Sequence, residues 1–448
     1  MKRILYIAAM ASLLMTSCQK TDVLNVAEDT IDFSTEVGKL TKATYTDGKF
    51  ETLKAQGFRV WTFADFSIGT DTDGDIYRKM ERLPVIFKPK EEGSTDGSFV
   101  IESDSKYFWP QDGNFLYFYT ISAADTEWLG KLDHKTHFLP KLESGEVNRG
   151  EDTEITGLAL PEFDVKEDAN DDVMVADFIH QDKKDENGQS TKTVSPVFRH
   201  TMTKVMFNFA KGTPDTGDQA AEEANRVILK EIKTDLLCKA GNLTVTYSTE
   251  SAPLTNKWTA SSDTKDFTNF KAIGPVVFTM SKTGVEISNV VPTELTEGAV
   301  YFTESDDKKT RTIKEYCKKA EDSNELEWKV VAEHTQGNDA TWTGDNSKYY
   351  TFNGWDLTSS QHTNLVTWYM IPQTLNNADG TTPANKTVTI QYVADGKHIE
   401  QDFSLVGGSV TEWVEELCVK YNVTIAPHKI QFSPTVSDWD QKGVDMAN

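Results

Sequence analysis

Cysteine is scarce: four residues in 448, at positions 18, 238, 317 and 418. That number excludes a disulfide scaffold, and no C-x-x-C pair offers a metal knuckle. Long apolar runs are also missing. Beyond residue 17 nothing approaches the roughly 20 apolar residues of a membrane-crossing helix, so a polytopic helical membrane protein is excluded. Basic charge is in short supply, with 46 Lys and Arg against 70 Asp and Glu, a formal charge of −24. Nucleic acid is an unsuitable partner, because phosphate neutralisation needs clustered cations. Catalytic signatures are absent as well. There is no H-E-x-x-H, no G-x-S-x-G elbow, no P-loop and no G-x-G-x-x-G opening a helix. Nothing in the pattern implies an enzyme or a cofactor. What is present is globular material, 38% hydrophobic and 10% aromatic, enough to bury a core. At about 150 residues per domain, the length fits two or three domains.

The N-terminus is an address. Lys2 and Arg3 supply a positive region, and Ile4 to Met15 is an apolar stretch of signal-peptide length. Met15-Thr16-Ser17-Cys18 resembles the lipobox of a bacterial lipoprotein, with Met15 where leucine is usual. The resemblance implies removal of residues 1–17 and acylation of Cys18. Two or three acyl chains would anchor it lastingly in a membrane. An ordinary secretory signal with an incidental cysteine is the alternative. Loss of Lys2 and Arg3 takes the formal charge from −24 to −26. Cys238, Cys317 and Cys418 then remain, enough for one disulfide at most, and buried free thiols are the simpler expectation.

Along the chain the hydrophobic period is two. Ile31 and Phe33 mark a short strand after the polar tether. Trp61 and Phe63 share a face, and Phe115 to Tyr119 is apolar on both faces, as a central sandwich strand requires. Leu83 to Phe87 reads as a strand that Pro84 pushes to an edge or to its first residues. Val205, Phe207 and Phe209 alternate; so do Leu243, Val245 and Tyr247, and Val388, Ile390 and Tyr392. The clearest case is Leu417, Val419, Tyr421, Val423 and Ile425, continued by Ile430, Phe432 and Val436. Turn clusters such as Asp112-Gly113 and Gly407-Gly408 punctuate these runs. The pattern predicts an all-β chain of two antiparallel sandwiches in tandem with few helices. Only Gln219 to Ile232 shows helical spacing, through Ala220, Ala224, Val227 and Ile228. The expected division is a signal peptide over 1–17, a tether and N-terminal strand over 18–45, a sandwich over 46–213 and a second over 214–448. The polar stretch 251–348 is read as a large insertion on the second sandwich.

Candidate binding clusters are weak. His134 and His137 lie in a loop-like stretch and read as surface histidines. Asp71 to Asp75 has the oxygen density of a calcium loop, but Gly74 stands at the fourth place and Arg82 at the twelfth, so it reads as an acidic turn. No metal is implied. Of the ten tryptophans, Trp109, Trp368 and Trp439 are expected in cores. Aromatic platforms that stack on sugar rings are the alternative, with Trp258, Trp328 and Trp342 in the insertion less decided.

Four ordered segments resemble the fimbrillin family of Bacteroidota lipoproteins, which build type V pili. They are Thr41-Lys42-Ala43-Thr44; Tyr107 to Gly113 leading into Phe115–Tyr119; Asp172 to Asp177 with Phe198 to Phe207; and Tyr369 to Gln373 with Leu417 to Ile425 and Val436 to Asp440. Together with the lipobox they span nearly the whole chain. The resemblance implies two transthyretin-like sandwiches, an outer-membrane lipoprotein at the cell surface, and partnership with other fimbrial subunits. It further implies strand exchange: proteolysis after Lys42, before Ala43, would release the strand carrying Ile31 and Phe33, and a neighbour's strand would fill the groove. Lysine stands where the family has arginine. A strictly Arg-specific protease would leave the chain anchored through Cys18, which suits a base subunit; one accepting lysine permits a stalk or tip role. A host glycan or protein is the ligand class for adhesion, and a surface glycan-binding lipoprotein is the competing function.

Overall fold

The computed structural model describes residues 31–438 apart from 34–35, 38–50, 65–77, 103–106, 108, 110–114, 141–154, 183–192, 213–225, 248–253, 262–266, 377–385 and a few single or paired positions. The chain is nearly all β, in mainly antiparallel sheets stacked as sandwiches, with only short helices such as Glu51–Gln56 and Thr126–Gly130 among the described residues. The expected fold class is what forms.

The first large sheet runs, edge to edge, Glu36–Val37, Val197–His200, Met174–Ala176, Phe115–Ser122, Phe58–Ala64, Arg78–Pro89 and Gly97–Ile101. Its central strand shows why residues 115–119 lack a polar face. Leu116 and Phe118 enter one core, while Tyr117, Tyr119 and Ile121 enter another on the opposite side. A sheet covered on both faces selects apolar side chains at every position. On the second face lies a smaller sheet of Thr255–Ala260, Ala240–Thr246, Ile155–Ala159 and Phe138–Pro140, contributing Phe138, Leu158, Leu243 and Trp258.

Two further sheets form the C-terminal sandwich. One orders Thr363–Met370, Thr203–Lys211, Leu417–Ala426 and Lys429–Asp438; the other orders Val276–Ser281, Tyr349–Leu357, Val227–Thr234, Thr387–Ala394 and Lys397–Ser404. Phe207 stacks on Tyr421 at 5.1 Å and meets Trp368 edge-on. The alternation at Val419, Tyr421, Val423 and Ile425 is realised as an inward face.

Two ladders cross the expected division at residues 213 and 214. Thr203–Lys211 pairs in parallel with Leu417–Ala426, and Ile155–Ala159 pairs with Ala240–Thr246. One hydrophobic core therefore runs through both halves. Within 251–348, Thr255–Ala260, Lys271–Ile273 and Val276–Ser281 join the main sheets. Only Val300–Glu304, Thr310–Lys318, Leu326–Gln336 and Trp342–Thr343 make a sheet of their own, over a small core of Ile287, Phe302, Ile313, Ala332 and Tyr349.

Three local expectations are corrected. The helical reading of Gln219 to Ile232 fails at its described end, because Val227–Thr234 is a central strand. Val227 and Leu229 face one core and Ile228 another, and burial of both faces overrides the spacing. Pro84 lies inside a strand with partners on both sides, but at the point where the outer partner ends. That strand stops at Ile101: Glu102 donates its N–H to the Pro84 carbonyl, and the return bond that Pro84 cannot donate falls where the outer pairing ends. His134 is buried, on the short helix His134–His137, and is no surface histidine.

A polar chain crosses into the core where the insertion sheet meets the sandwich. The Arg311 guanidinium, gripped by Glu304 Oε1 at 2.6 and 2.8 Å, donates to Thr279 Oγ1 at 2.9 Å. Thr279 and Thr351 hydroxyls are 3.0 Å apart, and Thr351 lies 2.6 Å from His334 Nδ1. Read from the guanidinium, which can only donate, the chain ends on Nδ1 as acceptor. Burial and the nearby Lys282 hold His334 below the ordinary histidine value of 6.5, against the pull of Asp345. The unfolded chain therefore binds more protons below pH 6.5. Stability from this group is complete above that value and falls as the pH drops toward the folded value. Substituting His334→Gln should flatten the acid-side loss of the urea midpoint between about pH 7 and pH 5. An unchanged slope would mean that other groups set it.

Candidate functional site

The N-terminal strand anticipated around Ile31 and Phe33 is built into the first sandwich. Asp32–Phe33 pairs in parallel with Thr193–Val194, and Glu36–Val37 pairs in parallel with Val197 and Phe198 at the edge of the first sheet. Ile31 donates its N–H to the Tyr107 carbonyl at 3.0 Å. Both side chains sink into the core on the outer face of that sheet, with Ile31 2% and Phe33 5% exposed. The Phe33 ring meets Phe58 and Phe118 edge-on, at 6.0 and 6.1 Å. Phe58 in turn packs on Phe198 and Phe99, and Trp109 on Phe118. Trp109 therefore lines this core, as expected, and Trp368 lies in the other.

This attachment is local. Two ladder segments of two residue pairs each hold the strand. Burying Ile31 and Phe33 contributes about 2 to 3 kcal/mol apiece, while ordering each residue costs about 1 to 2 kcal/mol. The two terms are of similar size, so the backbone pairs and the edge-on contacts of the Phe33 ring decide whether the strand stays.

The edge that receives the strand is fastened at both ends, and the Asp172–Asp177 and Phe198–His200 segments supply the fasteners. Met174, Val175 and Ala176 pair with His200, Arg199 and Phe198. Side-chain pairs clip both ends of this short ladder. Arg199 Nε and Nη2 donate to the two Asp177 oxygens, both at 2.6 Å, and Asp177 Oδ1 also accepts the Leu254 N–H at 3.1 Å. At the other end His200 Nδ1 lies 2.7 Å from Asp172 Oδ2, with Asp172 wholly buried. Thr201 closes back on the Val173 carbonyl, and the Trp258 indole donates to Thr201 at 2.6 Å. The polar positions of these segments are thus fasteners for the receiving edge.

Cys18, Lys42, Ala43 and Trp439 lie outside the described residues, as does the acidic Asp71–Asp75 stretch. Cys238, Cys317 and Cys418 are free thiols. One cluster was not anticipated: ligand atoms of Glu81, Asp133 and His134 fall within 4.8 Å of one another. His134 Nδ1 is 3.4 Å from Glu81 Oε1, and Asp133 Oδ1 accepts the Thr136 N–H at 3.2 Å, so ordinary pairing and helix capping account for the approach. The Asp–His step of residues 133–134 was visible, but the return of Glu81 to it was not.

No protein-family model and no curated protein matches the chain. Among solved structures, a fimbrial protein from Bacteroides vulgatus is similar at 14% identity, over 92% of this chain and 99% of its own, with a TM-score of 0.40. A candidate cell adhesion protein from Bacteroides uniformis shows 11% identity over 94% and 100%, with a TM-score of 0.36. The tip fimbrial protein Mfa3 from Porphyromonas gingivalis shows 9% over 86% and 94%, with a TM-score of 0.26. Overlaps at these scores do not discriminate among large all-β proteins. What the fold defines on its own is a multi-sheet β-sandwich protein whose short N-terminal strands pair at the edge of the first sheet.

If that strand is held mainly by its buried ring, Phe33→Ala should lower its local opening free energy by about 3 kcal/mol. Hydrogen exchange at the Phe33 amide would then quicken roughly a hundredfold, while amides near Phe207 stay protected. Equal acceleration at both places would contradict a local attachment.

Proposed function

We propose that the chain is a structural subunit of a surface fimbria, exported as a lipoprotein through Cys18 and assembled by strand exchange. The observation that carries this reading is the burial of Ile31 and Phe33 in an aromatic groove at a sheet edge, upstream of Lys42-Ala43. Cleavage after Lys42 would cut the strand from the body of the chain. Its departure would expose the Phe58, Phe118 and Phe198 groove together with the unpaired backbone of Val197 and Phe198. An extended strand with apolar residues two apart satisfies both. The acidic balance suits such a subunit, keeping it soluble before assembly. N-terminal sequencing of sheared surface fibres should give chains that begin at Ala43. Chains that always retain acylated Cys18 would exclude a stalk subunit and leave the base of the fibre as its place.

A second reading has its own observation. On the insertion sheet Trp328 is half-buried and packed edge-on against Tyr301 at 4.7 Å, with Tyr316 5.1 Å away and directly opposite in the ladder. Such a half-open aromatic trio offers a face for sugar rings, the chemistry of a glycan-binding surface lipoprotein. In affinity electrophoresis against host and plant polysaccharides, this reading expects retardation that Trp328→Ala abolishes. Equal mobility with and without polysaccharide would remove it.

A further inference from the structure

Gln373 opens the short strand Gln373–Thr374, and its carboxamide is buried and held on every side. Nε2 donates to the carbonyls of Cys238 and Ile371, both at 3.1 Å. Oε1 accepts the Cys238 backbone N–H at 2.9 Å, and Lys386 Nζ lies on the same oxygen at 2.5 Å. The amide therefore uses its full hydrogen-bonding capacity on fixed partners. A neutral amine in such a place is a nucleophile, and a backbone N–H on the carbonyl oxygen is the device that stabilises a tetrahedral oxyanion. Burial favours the neutral amine, drawing Lys386 down to about 8 against the opposing pull of the Cys238 and Asp235 charges. The Cys238 thiol is engaged elsewhere, 3.1 and 3.3 Å from the Ala240 and Ser261 carbonyls, which leaves the lysine as the attacking group.

We propose that Lys386 and Gln373 condense into an intramolecular isopeptide bond. The Nζ lone pair forms the new bond to Gln373 Cδ, the Cδ–Nε2 bond breaks, and the proton shed by Nζ ends on the departing nitrogen, which leaves as ammonia. Neither oxidant nor cofactor enters the balance. The two Nε2 contacts keep the carboxamide from flipping its nitrogen toward the lysine, and the Cys238 N–H holds the developing negative charge on Oε1. The bond spans 13 positions of sequence and ties Gln373–Thr374 to the start of Thr387–Ala394, at the rim of the C-terminal sandwich. It joins two segments covalently in a chain whose described cysteines, Cys238, Cys317 and Cys418, are free.

Intact-mass measurement of the full mature chain, followed by tryptic mapping, tests this. The expected result is a mass short by one ammonia, a branched peptide joining the Gln373 and Lys386 segments, and no cleavage after Lys386. Lys386→Arg should restore the full mass and lower the thermal midpoint. A wild-type map that shows a linear Gln373 peptide with its amide intact, or a deficit located at another site, overturns the proposal whether or not the variant folds.

Discussion

The parallel ladder between Thr203–Lys211 and Leu417–Ala426 is the contact on which the arrangement of the whole chain depends. It places a strand from the middle of the sequence between two from the second half, Thr363–Met370 on one side and Leu417–Ala426 on the other. Phe207 then stacks on Tyr421 and abuts Trp368, so three distant segments share one packed centre. More than 200 positions separate the two sides of that ladder, as in the Asn208–Asn422 side-chain bond at 2.9 Å. Contacts of such range form late, because loop closure must precede any gain from pairing. The C-terminal sandwich is therefore complete only once Leu417–Ala426 is available. Most of the residues between build the facing sheet of that sandwich, and the Val300–Thr343 sheet leaves from it and returns to it.

The first sheet is constrained differently. It is apolar on both faces because a second sheet covers one and the N-terminal strand with Trp109 covers part of the other. The two covers are unequal in kind. The second sheet belongs to the continuous core and cannot leave without unfolding both halves. The N-terminal strand touches only the smaller core and is joined by two short parallel ladders. The Asp177–Arg199 and Asp172–His200 clips matter here, since they fix Val197–His200 to Met174–Ala176 from both ends, independently of the covering strand. Removing Arg199 would leave the largely shielded Asp177 carboxylate without its guanidinium partner and loosen this end of the ladder.

Period-two alternation was legible wherever a strand had one inward and one outward face, as at Leu417 to Ile425, and two-sided burial was legible at Phe115 to Tyr119. Ile31 and Phe33 were legible as a strand because their spacing survives in a polar context. The failures share a physical cause: each depends on a neighbour remote in sequence. Val227 and Ile228 have helical spacing beside an Ala- and Glu-rich run, yet two cores claim their opposite faces. Pro84 is tolerated in a two-sided strand because its outer partner stops at Ile101. His134 is buried because Glu81 returns to it. The expected line at residue 213 follows a real turn in composition, but pairing ignores it, since strands from both sides of that line lie in the same sheets.

The proposed exchange has an energetic logic that follows from these covers. A neighbour's strand with the same apolar spacing would bury about the same area as Ile31 and Phe33 and restore the same backbone pairs. Exchange of equals is near neutral, and while the resident strand is tethered to the groove by the chain, its effective concentration there is far above that of any free competitor. On that proposal an intact chain would stay closed. Cutting the tether removes this advantage at a stroke without touching the groove, so the resident strand competes only as a dilute peptide. A longer incoming strand, with more ladder bonds along the clipped Val197–His200 edge, then wins on enthalpy, and the backbone edge that invites aggregation in an ordinary sheet becomes the assembly joint.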